Sequence, residues 1–270
     1  MTSKRRIVVT GAAGNLGAKL ADYLAGRYDI VPLDRPHGDL SVWHERWVDR
    51  FAGADTVFHF AGDPVALHDW DELTGPNVDA MLNVYEAAAR HQVPRFVFAS
   101  SNHVMGGYQH VPGVRLTTDL PPKPGLRYSA DGADRFSGPY AATKLFGERV
   151  GQLYARTRGL EVISVRIGWV WRGNNVPEEL PADRGEWFRN MWLSDGDFLQ
   201  LMECCLSADL PEPFLIVNGM SRNTGMRWDI DSTARVLGYQ PRDDVNRRAG
   251  QTIGEGCRLR LRNSNARDVP

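Results

Sequence analysis

The chain has 270 residues, enough to bury a full core, and its 42% hydrophobic and 24% charged content is ordinary for a globular protein. A net charge of -1 gives no reason to expect nucleic acid or an acidic membrane as partner, and no apolar run approaches the ~18 residues that would span a bilayer. The three cysteines, Cys204, Cys205 and Cys257, are odd in number and lack metal-ligand spacing, so no metal is expected. The first residues run straight into a strand with no room for a secretory signal, so the cytoplasm is the expected location.

Arg6–Thr10 is a β-branched strand, and the glycine turn after it opens a helix to about Leu24. Further apolar runs at 29–34, 55–60, 95–100 and 161–167 read as parallel strands covered on both faces, and 77–91 has a helical pattern. Strands alternating with helices predict an α/β fold, a doubly wound parallel sheet. Two stretches break the alternation. Residues 106–138 are rich in Pro and Gly and would lie over the mouth of the sheet. Residues 169–197 are irregular and carry Trp169, Trp171, Trp187 and Trp192, which suits a lid better than a disordered insertion. A single domain is therefore expected: 1–168 holding the main site, a small C-terminal lid over 169–230, and a polar tail at 242–270 with no assigned role.

Gly11-x-x-Gly14-x-x-Gly17 sits between a strand and a helix, the context in which a glycine pattern binds a dinucleotide. The first glycine makes the turn, the second lets backbone approach a pyrophosphate, and the third packs helix on strand. Asp34, at the end of the second strand, is placed to accept from ribose hydroxyls, which favours NAD over NADP. Arg35 beside it could pair with a 2′-phosphate or simply face solvent.

Tyr140 and Lys144 are four residues apart in an expected helix and share a face. A phenol titrates near 10, too high for a base at neutrality, and a nearby ammonium favours its ionised form. The spacing therefore suits a tyrosine acid/base. Ser100-Ser101-Asn102-His103 ends the strand that feeds this crevice. Ser101 would hold the substrate oxygen, Asn102 and His103 other hydroxyls, and His103 is either a general base or a polar pocket residue.

These motifs resemble the extended short-chain dehydrogenase/reductases, and within them the uronate dehydrogenases, over residues 7–240. The resemblance is carried by Phe98-Ala-Ser-Ser-Asn-His103, Tyr140-x-x-x-Lys144, Val165-Arg-Ile-Gly168 and Trp192-Leu-Ser-Asp-Gly-Asp-Phe198. Ala61-Gly-Asp-Pro64 and residues 98–108 are also similar to the NAD-dependent glucose-6-phosphate dehydrogenases of that superfamily. The resemblance implies oxidation of an aldose at C1 to the lactone with NAD, and homo-oligomerisation as a dimer or larger. It also implies cofactor contacts from Asn15, Leu16, Asp39, Leu40, Ala61, Gly62, Asn77, Ser100, Ile167 and Gly168, and a substrate wall that includes Asp63.

Departures fall on the substrate side. Pro64 and Trp169 stand where the uronate dehydrogenases carry substrate-binding serines, and Arg184 and Arg189 are the candidates for that family's carboxylate-binding arginine. Arg172, Arg222 and Arg227 complete the set of nearby arginines, too many for all to bind substrate. Trp169 would pack on a sugar face or close the core. The expected substrate is an aldose with an acidic C6 group, a hexuronate first and then a hexose 6-phosphate or a 6-sulfonate sugar, with a neutral aldose as a further alternative. A sugar-nucleotide epimerase or dehydratase and a non-catalytic nucleotide-binding regulator are the alternatives.

Overall fold

The computed structural model describes residues 4–130 and 133–246. Six parallel strands, β1 (Arg6–Thr10), β2 (Asp29–Leu33), β3 (Thr56–His59), β4 (Arg95–Ser101), β7 (Glu161–Ile167) and β8 (Phe214–Gly219), form one sheet in the order β2-β1-β3-β4-β7-β8. The chain leaves β1 in one direction for β2 and in the other for β3, and ligands bind where a strand order reverses in this way. The carboxyl ends of β1 and β3 are level, with Thr10 beside His59, and β4, β7 and β8 run three residues further, with Ser101 beside Ile167 and Ile167 beside Gly219. A separate antiparallel hairpin pairs β5 (Arg127–Ala130) with β6 (Ala133–Phe136).

Apolar residues on both faces of the sheet explain the two layers of helix. One core joins Val8, Val57, Phe96 and Phe98 to Tyr85 of α4 (Ala80–Arg90) and Val150 of α5 (Gly138–Arg158). The other joins Val9, Phe58, Val165 and Val217 to Leu20 of α1 (Asn15–Leu24) and to Phe198 and Leu201 of α7 (Asp195–Ser207). Each such side chain contributes roughly 1.5–3 kcal/mol by leaving water. Helix α5 lies close on β4 because Gly147 faces it: a Cβ there would come within 2.3 Å of the Phe98 ring. That approach brings the start of α5, with Tyr140 and Lys144, down beside the end of β4.

Several elements differ from the sequence expectation. The helix expected from 77 begins as a π-helical turn, Thr74–Asp79, and becomes α-helical only at Ala80. The stretch from 106 to 138 contains the β5–β6 hairpin. Between 169 and 230 the chain is partly regular: it forms α6 (Gly185–Asn190) and α7, then re-enters the main sheet as β8. Only the part before α7 overhangs the sheet, and α7 and β8 belong to the two-layered body. The tail expected at 242–270 lies from 247 onward outside the described residues, as does Cys257. Among the described residues no helix is long and apolar enough to cross a membrane.

Candidate active site

A cavity of about 710 Å³ opens at the carboxyl ends of the strands. The turn between β1 and α1 forms one wall. The Gly14 amide donates to the Gly11 carbonyl (2.9 Å), and a Cβ on Gly17 would come within 2.2 Å of that same carbonyl oxygen. Gly14 caps α1 without a side-chain acceptor, which leaves first-turn amides of the helix open to an anion. Asp34, just past β2, accepts from the Ala13 amide (2.8 Å) and from the Arg35 amide (2.8 Å), tying the second strand to the glycine turn.

The opposite wall carries the reactive groups. Ser101 is the last residue of β4, and Tyr140 lies in the first turn of α5 with Lys144 one turn on. Burial pushes the Tyr140 phenol up to about 12, and the nearby Ser101 hydroxyl works against that rise. Lys144 Nζ stands 5.5 Å from the Phe98 ring centre and 5.7 Å from that of Tyr140, and burial brings it down to about 8. The expectation that Lys144 lowers the phenol is therefore corrected. At this separation desolvation outweighs the ammonium's pull, although the lysine still carries most of its charge at neutrality.

Behind these residues lies a buried polar frame. Ser100 donates to Glu148 Oε1 (2.7 Å), and Arg166 grips the same carboxylate through Nε (2.8 Å) and Nη2 (2.9 Å). Asn102 donates through Nδ2 to the Ile167 carbonyl (2.9 Å), which fixes its amide orientation, and its buried Oδ1 has no partner. His103 Nδ1 pairs with Ser137 Oγ (2.7 Å), which also accepts from the Leu126 amide, and burial holds the imidazole down at about 4, neutral near pH 7. His59 pairs with Thr10 (2.7 Å), and burial first, then the charge of Lys144, brings it to about 3.

All the sequence-predicted site residues lie on the cavity wall except three. These are Gly11, Gly14, Asn15, Leu16, Gly17, Asp34, Arg35, Asp39, Leu40, Ala61, Gly62, Asp63, Ser100–His103, Tyr140, Lys144, Ile167, Gly168 and Trp169. Asn77 sits behind the wall, where it accepts from the Asp63 amide (2.6 Å) and donates to the Asp63 carbonyl (3.1 Å). Arg189 donates to the carbonyls of Val245 (2.9 Å) and Pro177 (3.4 Å), and Arg184 lies 5.6 Å over the Tyr128 ring. Arg189 is thereby held within the lid, whereas Arg184 rests on a ring of the hairpin. Arg222 pairs with Asp231, and Arg227 donates to the Tyr108, Gln109 and Val111 carbonyls.

Of the further arginines weighed from sequence, Arg172 lines the cavity, and so do Phe188 and Met191, which sequence reasoning did not select. Ser137, Glu148 and Arg166 support it from behind. Glu148 had a readable signal, since it falls one helical turn beyond Lys144. Phe188 and Met191 had none, because only the folded lid brings them to the site.

The described geometry has known counterparts. Residues 7–171 match the NAD dependent epimerase/dehydratase family. The chain is 36% identical to an L-arabinose 1-dehydrogenase (NAD(P)(+)) of Haloferax volcanii, over 88% of this chain and 97% of that one. It is 33% identical to an NAD-dependent glucose-6-phosphate dehydrogenase of the same organism, over 88% and 93%. Among solved structures, uronate dehydrogenase from Agrobacterium tumefaciens superposes with a TM-score of 0.71 at 30% identity, over 89% of this chain and 85% of that one. The match over more than half of its length, and over the very residues that form the glycine turn and the Tyr140 helix, establishes that the chain belongs to the NAD-dependent epimerase/dehydratase family, the extended short-chain dehydrogenase/reductases.

Proposed function

We propose that the protein is an NAD-dependent sugar dehydrogenase that oxidises an aldose at C1 to the lactone. One observation carries the reading: Ser101, Tyr140 and Lys144 lie on the wall of the same cavity that the glycine turn and Asp34 line. The residues present fit the dinucleotide. The open amides at the start of α1 suit its diphosphate, and the Asp34 carboxylate suits a ribose diol and repels a 2′-phosphate. Bound NAD supplies the hydride acceptor.

The remaining work falls to this chain's side chains. Ser101 and Tyr140 hold the C1 hydroxyl, and Tyr140 removes its proton. Burial holds the phenol high, and the charge of Lys144 acts against that burial and so eases this transfer. Asn102 and His103, both on the cavity wall, hold other hydroxyls. The relatives are named for L-arabinose, glucose 6-phosphate and uronate, all sugars, which supports a sugar here. By resemblance alone, the assembly we propose is a homo-oligomer.

The test is NADH formation at 340 nm across a panel of neutral, uronic and phosphorylated aldoses, with NAD and with NADP. Tyr140→Phe is expected to lower turnover at least a hundredfold while NAD binding persists. Silence across the panel, with NAD carried through purification, would favour the epimerase reading instead.

A further inference from the structure

We propose that Arg172 holds the diphosphate of the bound dinucleotide, as the charged counterpart of the amides at the start of α1. The inference rests on the cavity being the dinucleotide's.

Helix α1 by itself offers half of a diphosphate site. Its first helical hydrogen bond runs from the Ala18 amide to the Gly14 carbonyl (3.0 Å), so the amides before it are left for an outside acceptor. No acidic side chain stands in that first turn. The helix's own cation, Lys19, is paired with Asp195 (2.6 Å). Two phosphate charges would meet dipoles there and no counter-ion from α1.

The chain brings a cation to that end from the far side of the cavity. After β7 the backbone runs as a strap in which each residue from Gly168 to Trp171 is tied. The Gly168 amide donates to the Gly219 carbonyl (2.8 Å) and the Trp169 amide to the Met191 carbonyl (2.8 Å). The Val170 carbonyl accepts from Asn15 Nδ2 (3.2 Å), and the Trp171 amide donates to Asn175 Oδ1 (3.0 Å). Asn15 is the first residue of α1, so its bond lays the strap against the open end of that helix. Its side chain is thereby committed to the strap.

Arg172 comes next, exposed, and lines the cavity together with Gly14, Asn15 and Leu16. The chain turns back directly after it at Gly173, whose φ of +91° suits glycine. Asn175 closes the turn, donating through Nδ2 to the Leu193 carbonyl (2.8 Å) and to Asp195 Oδ1 (3.0 Å), the same oxygen that Lys19 holds. The turn is thus attached to α1 twice, before Arg172 through Asn15 and after it through Asp195. A guanidinium fork hung between those ties matches the paired oxygens of a diphosphate.

The experiment measures dissociation constants for NAD and for ADP-ribose by isothermal titration calorimetry, on wild type, Arg172→Gln and Arg172→Lys. Arg172→Gln is expected to weaken both ligands at least tenfold and to a similar degree, because ADP-ribose keeps the diphosphate and lacks the nicotinamide. The loss should shrink as salt is raised. Arg172→Lys, which restores the charge without the fork, should recover at least threefold of it. A Gln variant that melts like wild type and binds ADP-ribose equally well overturns the inference. If its KM for sugar rises instead, Arg172 belongs to the substrate. Wild-type protein that binds both ligands but oxidises no aldose leaves the inference standing and removes the dehydrogenase reading. Binding of neither ligand by the wild type overturns both.

Discussion

Glu148 and Arg166 meet inside the protein in a two-pronged ion pair, with their side chains only 0% and 1% exposed. The pair joins α5 to β7 and, through Ser100, to β4. Stripping one partner strands a charge without water. Glu148→Ala is therefore expected to lower stability by about 3–5 kcal/mol in urea unfolding. Pairing it with Arg166→Met should cost less than the sum of the single changes. Simple additivity would show that the two side chains do not act as a unit.

The glycines of the turn are expected to separate two effects. On Gly17 a Cβ would collide with the Gly11 carbonyl at 2.2 Å, whereas on Gly14 the same oxygen lies at 3.1 Å and little else is near. Gly17→Ala should lower the melting temperature by several degrees, as expected of a loss of about 1–3 kcal/mol. Gly14→Ala should keep the fold and weaken NAD binding at least tenfold in a fluorescence titration.

Acid should destabilise the fold through its buried imidazoles. His59 and His103 titrate at about 3 and about 4 in the folded protein, below the usual histidine value near 6.5. Between these values the unfolded chain binds more protons, so stability rises with pH there. It is fully present above about pH 6.5 and falls as pH drops toward 4 and 3. Each histidine contributes a slope of up to about 1.4 kcal/mol per pH unit inside that window. His59→Gln should reduce the slope of unfolding free energy at pH 5 by about one proton's worth.

Cofactor choice should turn on Asp34. Asp34→Ser removes the carboxylate opposite the ribose and leaves Arg35 beside it. The NAD:NADP ratio of kcat/KM is expected to fall at least tenfold, the size of one lost hydrogen bond to a charged group. An unchanged ratio would place the cofactor's ribose elsewhere.

The cofactor side of the site was readable in sequence because its determinants are local. Gly11, Gly14 and Gly17 share one turn, Asp34 ends an apolar strand, and Tyr140 and Lys144 are neighbours on one helix. The lid was not readable in this way. Whether Arg189 meets a ligand or the Val245 carbonyl depends on contacts between segments 56 residues apart. The strand β8 was missed although Phe214-Leu-Ile-Val is an apolar run. Its partner β7 lies far earlier in the chain, across the lid. The phenol's pKa was misjudged because helical spacing alone says nothing about how far burial outweighs a neighbouring charge.

Residues Gly168 and Gly219 touch across the β7–β8 ladder, the amide of one on the carbonyl of the other at 2.8 Å. The lid part of the segment between them, 170–190, leaves and rejoins beside Trp169, whose amide meets the Met191 carbonyl (2.8 Å) and whose carbonyl meets the Leu193 amide (3.0 Å). Such a detour can be lengthened, shortened or swapped between relatives without re-registering a single strand. Grafting the 169–194 segment of a relative with a different sugar onto this chain should carry that sugar preference with it, and leave the sheet and the glycine turn untouched.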